Sequence, residues 1–218
     1  MSACAVELAG EEVLLLPQKA LYWPARQTLL VADIHFGKAA SFRALGVPVP
    51  RGTTSENLAT LDTLLLAHDI RRIVFLGDFL HAKAAQAPAT LQAMLEWRCR
   101  HGELELLLVR GNHDWRAGDP SALLRIALVD EPFACGPFAL CHHPGLACDG
   151  YAIAGHVHPV YHLRTARDSL RLPCFLLGTQ RAILPAFGAF TGGHSLIPHI
   201  SDKVYVVADE LVFPIEIR

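Results

Sequence analysis

Leu104-Glu105-Leu106-Leu107-Leu108-Val109-Arg110-Gly111-Asn112-His113-Asp114 is a short apolar run that stops at a glycine and opens onto three polar side chains in a row. A run of this length, bounded by glycine and polar residues, predicts a buried strand. The same pattern recurs along the chain. Thr28–Ala32 ends at Asp33-Ile34-His35, and Arg72–Leu76 ends at Gly77-Asp78-Phe79-Leu80-His81. Phe138–Cys141 leads into His142-His143-Pro144, and Tyr151–Ala154 into Gly155-His156-Val157-His158-Pro159. Five strands that each end in a polar cluster place those clusters along one edge of a sheet. The carboxyl ends of strands are where open α/β sheets bind ligands.

Helical patterns lie between these runs. Thr53-Thr54-Ser55-Glu56 predicts a capping box ahead of Leu58, Leu61, Leu64 and Leu65. Pro88 opens a second helix with Leu91, Met94 and Leu95 on one stripe, and Asp119-Pro120 starts a short third through Leu123 and Leu124. Beyond residue 160, Pro173–Leu177, Val204–Val207 and Leu211–Ile217 predict strands, the last two a hairpin over Ala208-Asp209-Glu210. No repeat or linker divides the 218 residues, so one α/β domain over 1–218 is expected. With 52 % apolar residues the chain can bury a large core. Only 18 % are charged, with a net charge of -2, which argues against a binder that holds nucleic acid by a generally basic surface. A local basic groove is still compatible with that balance. No apolar run approaches the roughly 18 residues of a membrane span. The first ten residues hold no basic side chain, so no signal peptide is expected. Six cysteines form no CxxC pair. Together these features predict a cytoplasmic protein with reduced thiols and no membrane partner.

Histidine is the unusual residue. There are twelve, and seven of them stand in the polar clusters just quoted. In Asp33-Ile34-His35 two side chains spaced two apart on an extended strand end point the same way and can meet one ion. Asp78 follows its strand directly, where Gly77 permits close backbone approach. In Gly111-Asn112-His113-Asp114 the Asn carbonyl can bind a metal while its amide donates to a phosphate oxygen. Asp114 is placed to orient the His113 ring and keep it a proton donor. His156 and His158, two apart, read as a metal pincer. Each cluster alone has a bland reading as a cap, a turn or a surface histidine. Together they supply more ligands than the three or four that one ion needs, which predicts two ions sharing a carboxylate. Paired ions about 3.5–4 Å apart serve phosphoester hydrolysis.

The order D-x-H, GD, GNHD, H, GH-x-H across residues 33 to 158 resembles the calcineurin-like metallophosphoesterase superfamily. Within it, Leu45-Gly46-Val47-Pro48-Val49-Pro50, His142-His143-Pro144, Leu184-Pro185-Ala186-Phe187-Gly188 and Thr191-Gly192-Gly193 are similar to the ligase-associated DNA damage response endonucleases. The resemblance implies a sandwich of two mixed β-sheets flanked by helices. It implies Asp33, His35, Asp78 and His158 on a first ion, and Asp78 as bridge with Asn112, His142 and His156 on a second. His142 is taken over His143 because the superfamily's ligand histidine directly follows its strand. His113, with Asp114, is implied as the catalytic acid opposite a hydroxide that bridges the ions. His81 stands where an aspartate is frequent, so a phosphate contact is expected there; His143, Arg51 and Lys38 are the other expected substrate contacts. Two divalent ions are implied, manganese first, with iron or zinc also suited to the N and O donors.

On substrate the resemblance implies DNA, single-stranded or flapped, cut in DNA repair, with a helicase and a DNA ligase as partners. A small-nucleotide or phosphomonoester hydrolase is the alternative, because one metal site serves many substrates. A non-catalytic scaffold is the third reading, disfavoured because every motif residue is in place. Arg164, Arg167, Arg171 and Arg181 against Asp168 alone predict a basic groove beside the metals. Phe36, Tyr161 and Phe187 are candidate base-stacking rings.

Overall fold

The computed structural model describes residues 2–49, 52–164 and 169–216. The first sheet takes the strands β1 (Cys4–Leu8), β2 (Glu11–Leu16), β3 (Ala20–Trp23), β4 (Thr28–Ala32), β5 (Arg72–Leu76), β6 (Glu105–Val109) and β7 (Ile126–Val129) in sequence order. β1 to β4 form an antiparallel meander, and β4 to β7 run parallel. The second sheet holds β8 (Phe133–Cys135), β9 (Phe138–Leu140), β10 (Tyr151–Ala154), β11 (Pro159–Arg164), β12 (Ser169–Leu177), β13 (Arg181–Ile183), β14 (His194–Ser195), β15 (Lys203–Ala208) and β16 (Leu211–Ile215). Its order is β14-β11-β12-β13-β10-β9-β8, with the β15–β16 hairpin attached through β12. Both sheets are mixed, as the resemblance implied.

The pleat explains the layers. In β4 every residue is buried, because Leu30 and Ala32 face the second sheet while Leu29 and Val31 face helices. Val74, Leu76, Leu107 and Val109 join Leu30 against Phe138, Leu140, Ile153, Phe175 and Leu177 of the second sheet. On the other side, Ile73, Phe75, Leu106 and Leu108 pack on Leu58, Leu61 and Leu64 of α2 (Thr53–Ala67) and on Met94 and Trp97 of α3 (Pro88–Arg100). The second sheet carries no such helical layer among the described residues. Its outer face is closed by its own loops and strands, with Val157, Tyr161, Leu172 and Phe213 around Cys174, Ile183 and Val206.

Several local expectations need correction. Thr53 is the first helical residue of α2 and Gly52 the cap, with no side-chain cap bond. The Thr54 hydroxyl instead accepts the Gly37 N–H at 3.4 Å, tying α2 to the first motif loop. The third helix is a single 3-10 turn, Ala122–Leu124, capped by Ser121. Two short helices were not foreseen, α1 (Lys38–Ala44) and α4 (Asn112–Ala117), and each begins inside or just after a polar cluster. Ile217, at the end of the expected last strand, lies outside the described residues. No helix among the described residues is long and apolar enough to cross a membrane.

Candidate metal centre

The ends of β4, β5, β6, β9 and β10 deliver the five polar clusters to one place, as expected. Asp33 and Asp78 arrive there with almost no exposure, at 0 % and 2 %. Two buried carboxylates require compensating positive charge or donors, since an unpaired buried charge is expensive. Among the described residues each carboxylate keeps one backbone donor, the His156 N–H on Asp33 Oδ2 at 2.9 Å and the His113 N–H on Asp78 Oδ1 at 3.0 Å. Asp33 Oδ1, both ring nitrogens of His35 and His158 Nε2 are buried with no hydrogen-bond partner at all. These atoms face one another. His158 Nε2 lies 3.3 Å from Asp33 Oδ1, and His35 Nε2 lies 3.7 Å from Asp78 Oδ2. Asp33, His35, Asp78 and His158 thus form one group that could hold a metal ion.

A second group surrounds His142, whose side chain is fully buried. Its Nδ1 lies 3.1 Å from the Leu76 carbonyl oxygen. A carbonyl only accepts, so Nδ1 carries the proton and Nε2 presents a lone pair. That nitrogen lies 2.9 Å from Asn112 Oδ1, 3.0 Å from His156 Nδ1 and 3.4 Å from Asp78 Oδ1. At most one proton, on His156 Nδ1, is available among these four acceptors. Lone pairs converging at such distances are what a cation's ligands look like, and Asp78 belongs to both groups. Burial, the largest influence, holds His35 far below the usual imidazole range and also lowers His156. Both rings are therefore neutral at physiological pH, the form that binds metal.

The backbone makes this convergence possible. Asp33, His35, Asp78, His156 and His158 all have positive φ, between 48° and 69°. Non-glycine residues rarely adopt this region, and strain of this kind clusters at functional sites. The extended-strand argument for Asp33 and His35 is thereby corrected: they lie past the end of β4 and meet one site because the chain turns left-handed. The pincer reading of His156 and His158 is corrected too, since one ring joins His142 and the other joins Asp33. Glycine supplies the clearance. A Cβ on Gly77, whose φ is +74°, would collide with the His142 ring. One on Gly111 would come within 2.6 Å of Asp78 Oδ1, and one on Gly155 within 2.6 Å of Asp33 Oδ2.

His113 stands beside the two groups as the second residue of α4. Its Nδ1 donates to the His81 carbonyl at 2.8 Å, which leaves Nε2 facing Asp78 Oδ2 at 4.0 Å. Asp114 does not orient this ring, contrary to expectation. Its carboxylate accepts the N–H groups of Gly111 at 2.8 Å, Phe79 at 2.9 Å and Leu80 at 3.3 Å. As the third residue of α4 it caps its own helix and ties the Asp78 loop to the Asn112 loop. Burial raises its pKa to about 6 against the pull of these donors. Asp114→Ala should leave three N–H groups without their acceptor and cost about 2–4 kcal/mol of stability. Denaturant titration of the metal-free protein checks this. An unchanged midpoint would mean that Asp114 acts elsewhere.

The remaining expected contacts divide. His81 stacks on His113 with ring centroids 5.0 Å apart and approaches His35 edge-on at 5.3 Å; burial lowers its pKa to about 4. His143 stands with His142 and His156 in a group that could hold a metal ion, its ring 4.4 Å from that of His156. Glu131, which no sequence pattern singled out, holds it: the carboxylate accepts the backbone N–H of His142 at 2.7 Å and of His143 at 2.8 Å, and pairs with His143 Nδ1 at 2.6 Å. Burial pulls the Glu131 carboxyl upward, but these partners together hold it below its ordinary range. Lys38, the first residue of α1, lies near both Asp33 and Asp78; burial lowers its ammonium pKa and the two carboxylates raise it. Arg51 and Arg167 lie outside the described residues.

Of the four arginines expected to line a groove, the described ones do not gather in one place. Arg164 ends β11, roughly 20 Å along the strand from His158. Arg171 donates to the Gly193 carbonyl, and Arg181 starts β13 at the end of the sheet away from the metal centre. Phe36 and Phe187 are core residues, and Tyr161 packs on the outer cluster of the second sheet.

A family model described as calcineurin-like phosphoesterase matches residues 27–168, the segment that holds the five polar clusters. The chain belongs to that family. As a calcineurin-like phosphoesterase it is a metal-dependent hydrolase of phosphate esters. Among solved structures it is similar to the crystal structure of Pseudomonas putida nuclease MPE, with 47 % sequence identity and a TM-score of 0.88 over 98 % of this chain and 100 % of that one. No curated protein matches the chain.

Proposed function

We propose that this phosphoesterase is a DNA phosphodiesterase of the endonuclease type, acting on single-stranded or flapped DNA in DNA repair. The observation that carries it is the pair of acceptor groups joined through Asp78, a donor set suited to two divalent cations. The nuclease similarity over the whole chain supports nucleic acid as the substrate. Asp33, His35, Asp78 and His158 would hold one ion, and Asp78, Asn112, His142 and His156 the other. Manganese is the ion we propose, with iron or zinc fitting the same donors. When bound, such ions act as Lewis acids on the phosphoryl group and lower the pKa of a bound water, which supplies the nucleophile near neutral pH.

The chain's own residues do the rest. His113 aims Nε2 at the leaving oxygen while its Nδ1–H is held by the His81 carbonyl; the ring acts as an acid in its imidazolium form, giving the Nε2 proton to the leaving oxygen and returning to the neutral Nδ1–H tautomer. The His81 ring holds the His113 ring flat against itself. Asn112 turns its oxygen inward and so leaves its amide N–H groups for a phosphate oxygen. Lys38 brings a positive charge to the same rim, and His143 presents a ring fixed by Glu131 beside His156. Residues 1–218 act as one metallophosphoesterase domain. A helicase and a DNA ligase are proposed as partners on the sequence resemblance.

The test is metal-stripped protein given each ion in turn and offered circular single-stranded DNA, a diester reporter and a monoester reporter. Cutting of the circle together with the diester is expected, since an endonuclease needs no end. Hydrolysis of the monoester alone would replace this reading with a small-phosphoester hydrolase.

A further inference from the structure

The stacked rings at the centre do not end with His81. The Phe42 ring of α1 lies 5.8 Å from the His81 ring at an interplanar angle of 30°, continuing the column His113, His81, Phe42 away from Asp78. Phe190 meets Phe42 at 5.8 Å and 85°, so the two rings form a corner. Both are only partly buried. With Lys38, Ala189, Thr191 and Gly192 they line an open hollow of about 430 Å³. Thr191 contributes the only hydroxyl among these lining residues, and its oxygen is buried beside Gly188, not exposed to the hollow. Phe36 and Phe187, the rings expected to stack on bases, are buried and cannot serve.

From this geometry we infer that the Phe42–Phe190 corner is a nucleobase subsite, taking the base of a nucleotide next to the bond that is cut. The inference rests on the nuclease reading and specifies how the strand is held. Three features point to a base. The hollow is walled by two flat apolar rings, which suits a flat aromatic ligand. Lys38 stands at its edge and also near Asp33 and Asp78, so a phosphate at the metal centre and a base in the corner belong to one short stretch of strand. The lining side chains expose no hydroxyl that could read base identity, so the corner selects for an unstacked base of any kind. A paired base in a duplex has both faces covered and is a poorer occupant. The corner therefore favours single-stranded over duplex DNA by stacking.

The test is an abasic scan. A short oligonucleotide of one defined cut site is made in versions that each lack one base around that site. Cleavage of these and of the intact strand is measured with manganese-loaded wild type and with Phe42→Ala/Phe190→Ala. In wild type, losing one particular flanking base should lower kcat/KM about 5- to 150-fold, the size of one stacking contact. In the double variant, intact DNA should lose a similar factor and removal of that base should cost nothing further, with metal content unchanged. Equal sensitivity to the abasic position in variant and wild type would overturn the subsite. So would a wild type indifferent to every missing base, which needs no variant to observe. If wild type cuts none of the strands but hydrolyses a monoester, the nuclease reading itself fails and the subsite with it.

Discussion

Asp78→Ala should abolish hydrolysis of every phosphoester substrate and remove the stabilisation that divalent metal gives the protein. Asp78 faces the ligand nitrogens of both acceptor groups: His35 Nε2 at 3.7 Å on one side and His142 Nε2 at 3.4 Å on the other. Its loss leaves three donors in each group and takes away the shared charge that would hold two cations close together. At a hundredfold excess over its dissociation constant, one bound ion stabilises the folded state by about 2.7 kcal/mol. For a protein near this size that is roughly 5–11 °C in Tm. Wild type should show such a rise on addition of manganese, and the variant should show little or none. A variant that melts with the same manganese-dependent shift would mean the ions are held without Asp78.

His113→Ala should keep both ions and lower kcat by about 10²–10⁴-fold, the usual worth of a positioned proton donor. The separation of roles follows from the hydrogen bonds. His113 Nδ1 is spent on the His81 carbonyl, and Nε2 is 4.0 Å from the nearest Asp78 oxygen. His142 Nε2, by contrast, meets three acceptors within 3.4 Å. A proton donor matters most when the leaving oxygen is a poor leaving group. The loss should therefore be large on DNA and smaller on a nitrophenyl diester. Equal losses on the two substrates would count against the acid role, and loss of metal would make His113 a ligand.

The parallel strands of the first sheet were legible because each is an apolar run with an abrupt polar end. Burial on both faces is what makes such a run uninterrupted. The meander β1 to β3 was not read. In β1 and β2 the residues Glu7, Glu11 and Glu12 break the apolar pattern, and β1 is an edge strand with one face exposed. At the metal centre the residue types were legible and their geometry was not. The positive φ of Asp33, His35, Asp78, His156 and His158 is set by how loops pack, and the pattern of side chains says nothing of it. Asp114 was read as a partner of its sequence neighbour His113. It serves three backbone N–H groups instead, two of them on a loop 34 and 35 residues away. Glu131 carried no signal at all, being one of two acids in a short loop eleven residues before the backbone it clamps. Two of the arginines part for a topological reason. Arg171 and Arg181 are close in sequence, but β12 and β13 run antiparallel and carry them to opposite ends.

The central claim is that two ions, sharing Asp78, do the chemistry. Titration of metal-stripped protein with manganese, followed by elemental analysis and by diester hydrolysis on the same samples, tests it directly. Activity should keep rising until two equivalents are bound per chain and then level off. Full activity at one equivalent, or a binding plateau at one, would contradict it.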